Sequence, residues 1–125
     1  RLALEALRRT RPEVRPGLTE IEIAGLLEGM LRRLGSEGHP FPTIVASGPR
    51  SALPHAQTSR RAVASGEWLL LDFGAVVDGY CADITRTVVV GARATDAHWK
   101  WPACIRSNCS DSPRWFVWGR PRTRR

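Results

Sequence analysis

The stretch WLLLDFGAVVDGYCADITRTVVV, residues 68–90, constrains this chain more than any other. Two runs rich in aliphatic and β-branched residues flank Asp78-Gly79, a dipeptide that favours the two-residue type I′ hairpin turn. A tight turn there sets the pairing, so that Val77 faces Tyr80, Gly74 faces Asp83 and Asp72 faces Thr85. Side chains alternate along a strand, so Asp72, Gly74 and Asp83 share one face. Asp72 and Asp83 become diagonal neighbours, about 7–8 Å apart between Cα atoms. The glycine between them is expected to leave room above the sheet. The other face carries Leu69, Leu71, Phe73, Ala75, Val77, Ala82 and Ile84 and is expected to pack on helices. A bulge would slip the pairing by one residue and separate the carboxylates.

Two like charges held that close repel unless something positive lies between them. A metal ion is the economical reading of the pair. Spacing alone also permits solvated acids on an exposed strand face.

The rest of the chain frames the hairpin. Residues 2–9 (LALEALRR) have helical propensity and stop before Pro12 and Pro16. Thr19 and Glu22 form a capping box for a second helix, with Ile23, Leu26, Leu27, Met30, Leu31 and Leu34 at helical spacing. Arg32 and Arg33 fall in its last turn, and Gly35 can supply the C′ position. Residues 38–59 predict a short strand at 43–46 and then a long ordered loop. Helices and a hairpin in this order make an α+β domain of ordinary size.

Charge and cysteine usage narrow the function classes. The net charge of +7 suggests nucleic acid until it is located. Residues 1–91 hold 11 arginines against 10 acids, whereas residues 92–125 hold 8 basic residues against 2 aspartates. The basicity belongs to the tail. Interleaved Trp and Arg there could stack on bases and neutralise phosphates, but no nucleic-acid fold motif accompanies them, so that role is set aside. Cys81, Cys104 and Cys109 form no CxxC pair and their odd number argues against a disulfide scaffold, which points to a reducing cytoplasm. No apolar run approaches the roughly 18 residues of a membrane helix, so no membrane partner is expected. The chain opens at Arg1 inside a helix-like pattern, which reads as a cut rather than a start.

The segment DFGAVVDGYCADITRT, preceded by FPTIVASGPRSALPHAQTSRR, closely resembles the pita-bread metallopeptidases. Within them it is similar to the Xaa-Pro aminopeptidase (aminopeptidase P) and Xaa-Pro dipeptidase branch, over residues 18–91. Methionine aminopeptidases share the two-aspartate hairpin but not the FPTIVASG and LPHA text. The resemblance implies that Asp72 is a metal ligand, that Asp83 bridges two metals, and that His55 contacts substrate and steadies the tetrahedral intermediate. Tyr80 and Arg86 are read as structural support, and Cys81 as a small strand residue with no base partner. The implied cofactors are two divalent ions, manganese first, with cobalt, zinc or iron as alternatives. They would supply the nucleophile and polarise the carbonyl of a peptide with proline in second position. A pita-bread protein that lost its metals and serves as a binding module is the other reading.

The resemblance also implies three further ligands, one histidine and two glutamates, downstream of the hairpin. No glutamate follows Glu67, and the only later histidine is His98, in no recognisable motif. Residues 1–91 therefore read as the N-terminal half of a catalytic domain, a partial pita-bread fold with helices on a curved antiparallel sheet. Residues 92–125 read as a non-family, Trp- and Arg-rich tail, as a frame shift near 92–98 or a fusion scar would produce. Such a chain is expected to bind metal weakly, to be inactive alone, and to self-associate through its uncovered half-domain.

Overall fold

Asp78 and Gly79 both adopt positive φ, 51° and 74°, the backbone that a type I′ turn requires. The strands they join run without a bulge, from Trp68 opposite Val89 to Val77 opposite Tyr80. The computed structural model describes residues 1–91. In chain order its elements are α1 (Leu2–Thr10), α2 (Glu20–Arg33), β1 (Ile44–Ser47), β2 (Trp68–Val77) and β3 (Tyr80–Val89), with short 3-10 turns at Arg11–Glu13 and Gly48–Ala52. The tail at 92–125, with His98, Cys104, Cys109 and the expected frame shift, lies outside the described residues.

The capping box closes as the sequence predicts. Thr19 Oγ1 accepts from the Glu22 N–H at 3.2 Å, and the Glu22 carboxylate accepts from the Thr19 N–H at 2.7 Å. At the other end Gly35, with φ 99°, lets the Ser36 N–H reach the Leu31 carbonyl at 2.9 Å. That bond satisfies a carbonyl which the last turn leaves open. Pro12 falls just past α1, where its missing N–H costs nothing.

The three strands form one antiparallel sheet in the order β1-β2-β3. Leu69, Leu71, Phe73 and Ala75 of β2, Val45 of β1 and Val88 of β3 meet Ile23, Leu27 and Leu31 of α2, and Ala3, Ala6 and Leu7 of α1 pack beside them. Each large side chain buried in this way contributes about 1.5–3 kcal/mol. No helix among the described residues is long and apolar enough to cross a membrane.

Two details of the sheet depart from expectation. Val77 is 40% exposed and Ala82 is also exposed. Polar bonds hold the hairpin tip instead: the Glu37 carboxylate accepts from the Asp78 N–H at 2.6 Å, and Ser36 Oγ accepts from the Val76 N–H at 3.0 Å. The space beside Gly74 is also not open. A Cβ there would meet the Ala82 carbonyl oxygen at 2.2 Å and Pro40 Cγ at 2.4 Å, so Pro40 fills the room that the missing side chain leaves.

Gly74→Ala is expected to lower stability by about 1–3 kcal/mol through overpacking against backbone. A urea unfolding midpoint equal to that of the wild type would refute this account of Gly74.

Candidate metal centre

The register sets the geometry of the site. Asp72 pairs with Thr85, and Gly74 with Asp83, so Asp72 and Asp83 occupy the diagonal that the sequence predicts. Thr85 Oγ1 donates to Asp72 Oδ1 at 2.9 Å, which orients the carboxylate from the facing strand. On the other side Ile44 of β1 pairs with Asp72. Asp72 is half-buried and Asp83 exposed. Burial pushes the Asp72 carboxyl above its ordinary range and the neighbouring Asp83 carboxylate adds to this, against the hydrogen bond from Thr85. A cation between the two would relieve both effects.

His55 reaches the same place from the loop between β1 and β2. It is exposed and has φ 63°, a left-handed backbone uncommon for a residue other than glycine and concentrated at functional sites. His55, Asp72 and Asp83 line one open cleft of about 650 Å³, together with Phe41, Pro42, Thr43, Ile44, Ala56, Gln57 and Thr58. The two carboxylates are oxygen donors suited to a divalent ion, and His55 stands beside them in the cleft. Among the described residues no cluster of three or more His, Cys, Asp or Glu could hold a metal ion. The pair therefore fits one side of a metal centre rather than a whole cage. Tyr80, read from the sequence as support, is 83% exposed at the hairpin tip, and Arg86 Nη1 donates to the Thr85 carbonyl at 2.8 Å.

The loop that carries His55 is held by polar groups. Thr58 Oγ1 accepts from the Val45 N–H and donates to the Thr43 carbonyl, both at 2.9 Å, so a side chain completes the outer edge of β1. The Glu20 side chain, fully buried at the start of α2, binds both ends of the 47–59 segment that carries His55. Its Oε1 accepts from Ser47 N–H and Oγ, each at 2.8 Å, and its Oε2 from Ser59 N–H at 3.0 Å and Oγ at 2.7 Å. Arg50 Nε lies 3.3 Å from either oxygen. Farther out, Arg61 donates to Ser47 Oγ and grips Glu67 with both terminal nitrogens.

Sequence reasoning missed Glu20. An acid in the first turn of a helix is expected to favour the helix dipole from a solvated position, and nothing in the pattern sets this one apart. The serines on either side of the loop are the only trace of its partners.

The metallopeptidase family M24 model matches residues 1–107, so the match runs past Gly91, the last described residue. Over 91 residues, 73% of this chain, the sequence is 46% identical to the uncharacterized peptidase YqhT of Bacillus subtilis and covers 26% of it. It is 42% identical over 80 residues to the Xaa-Pro dipeptidase of Pyrococcus furiosus, covering 64% of this chain and 23% of that one. The crystal structure of the X-Pro aminopeptidase of Thermotoga maritima aligns with 77% of this chain and 27% of its own, at 47% identity and a TM-score of 0.74. This chain belongs to metallopeptidase family M24. It has part of the pita-bread fold and its similarity lies with the Xaa-Pro aminopeptidases and dipeptidases. It spans about a quarter of the length of the relatives it matches.

Burial pushes the Glu20 carboxyl up, but the bonds from Ser59 and Ser47 outweigh it and hold the group below the ordinary 4.5. A folded value below the unfolded one gives stability that is present above about pH 4.5 and lost as the pH falls through the folded value. The unfolding free energy of the wild type in urea should therefore exceed that of Glu20→Gln by a full margin near neutrality, about 2–3 kcal/mol. The margin should shrink in acid, where contributions of Glu5, Glu22 and Glu67 cancel between the two proteins. A margin that stays constant from about pH 3 to 7 would show that the Glu20 charge is not what binds the loop.

Proposed function

We propose that this chain contributes the Asp72, Asp83 and His55 portion of a Xaa-Pro metallopeptidase centre. The observation that carries this reading is the convergence of the three side chains on one cleft from the His55 loop, β2 and β3. Membership of a metallopeptidase family and relatives named as Xaa-Pro peptidases support it.

Asp72 and Asp83 would hold divalent metal, with Thr85 orienting the first of them. A metal held by Asp72 and Asp83 would supply a hydroxide nucleophile at neutral pH and polarisation of the peptide carbonyl. His55 stands free in the cleft to donate a hydrogen bond to the oxygen that gains charge as the carbonyl is attacked. Phe41, Pro42 and Ile44 present an apolar wall to the rest of the peptide. Carboxylate donors accommodate manganese, cobalt, iron or zinc, and the resemblance favours manganese. The substrate class is a peptide with proline in second position, by analogy with the relatives.

Two carboxylates are fewer donors than such an ion takes from a closed site. The chain alone is therefore expected to bind metal weakly and to be inactive, since no glutamate follows Glu67 and His98 stands in no recognisable motif. In a calorimetric titration of Mn²⁺ into the 125-residue chain, weak binding should appear and vanish in both Asp72→Ala and Asp83→Ala. A Xaa-Pro peptide should not be turned over. Binding that survives either substitution would place the metal elsewhere and sink the reading, and Asp72-dependent turnover would show that the missing ligands come from a second chain.

A further inference from the structure

We propose that Glu20 is a positioning residue for the centre, whose two carboxylate oxygens each fasten one end of the His55 loop and so hold His55 against the metal-binding hairpin. This rests on the reading of His55 and the two aspartates given above.

The division of labour between the oxygens is the basis. Oε1 serves Ser47, where the loop leaves β1, and Oε2 serves Ser59, where the loop turns back toward β2. Each end gives both its backbone N–H and its hydroxyl. Inside the loop Arg50 spans the remaining distance, its Nε on the Glu20 carboxylate and its Nη2 on the carbonyl of Gln57, two residues beyond His55. The carboxylate has no solvent contact, so water cannot stand in for any of these partners. His55 itself has no hydrogen bond to a helix or strand among the described residues. Its left-handed backbone, φ 63°, costs about 1–3 kcal/mol unless the surroundings impose it, and the surroundings here are a loop drawn tight at both ends.

A glutamine in the same place has one acceptor oxygen and an amide that donates. It can serve Ser47 or Ser59 but not both, and it sets a donor against donors at the other end. Glu20→Gln should therefore release one end of the loop while leaving the hairpin intact.

The test is heteronuclear NMR of the full chain, with and without Mn²⁺. In the metal-free protein, Glu20→Gln should shift or broaden the amides between Ser47 and Ser59, His55 included, while those of Asp72, Gly79 and Asp83 keep their positions. Ser59→Ala, which removes one hydroxyl and keeps the backbone bond, should move the same resonances in the same direction by less, and gives the readout if Glu20→Gln does not fold. With Mn²⁺ added, paramagnetic broadening of the His55 ring should fall several-fold in the variants, with no change in Mn²⁺ affinity. Unchanged His55 resonances in a folded variant, or hairpin shifts as large as those of the loop, would overturn the proposal. If Mn²⁺ does not bind the wild type, the metal reading fails while the metal-free spectra still decide the role of Glu20.

Discussion

The structure depends on a carboxylate that water does not reach. Glu20 lies in the first turn of α2, where the helix N-terminus favours negative charge, and it accepts from two serines and an arginine on a loop far away in sequence. Desolvating a carboxylate is costly, and a site that removed one partner would leave charge or donors stranded. The full set of partners therefore stands or falls together, which couples the helix, the outer strand and the His55 loop into one unit. Arg61 and Glu67 extend the same logic toward the start of β2, where Glu67 also receives the Ala64 N–H at 3.0 Å.

The hairpin supplies the second constraint. Its register depends on Asp78-Gly79 at the tip and on Leu69, Leu71 and Phe73, whose burial tolerates no slip by one residue. The same alternation that sends those side chains into the core sends Asp72 and Asp83 to the opposite face. Core packing and site geometry are thus one arrangement seen from two sides of the sheet. The raised Asp72 carboxyl is its electrostatic consequence: a half-buried acid beside another acid, steadied by Thr85.

Much of this was legible in the residues. The capping box, the turn dipeptide and the pairing of Gly74 with Asp83 follow from local chemistry and period, and the structure reproduces them, whereas the strand expected at 43–46 runs one residue later, Ile44–Ser47. Less legible were features set by contacts distant in sequence. Gly74 reads as empty space in the sequence, but Pro40 lies against it. Val77 and Ala82 belong to the apolar alternation, yet both are exposed near the hairpin tip. Tyr80 sits in a family-like motif and still points to solvent.

By itself the sequence determined the hairpin, its register and therefore the face on which two aspartates meet, because a two-residue turn without a bulge and a period of two fix the pairing. It also carried the text by which the family is recognised. Only the tertiary structure decided that His55 stands in the same cleft and that Glu20 is buried beneath the loop that brings it there. The reason is physical: a loop has no period, and the partners of a buried carboxylate are chosen by three-dimensional proximity, which a string of residues does not encode locally.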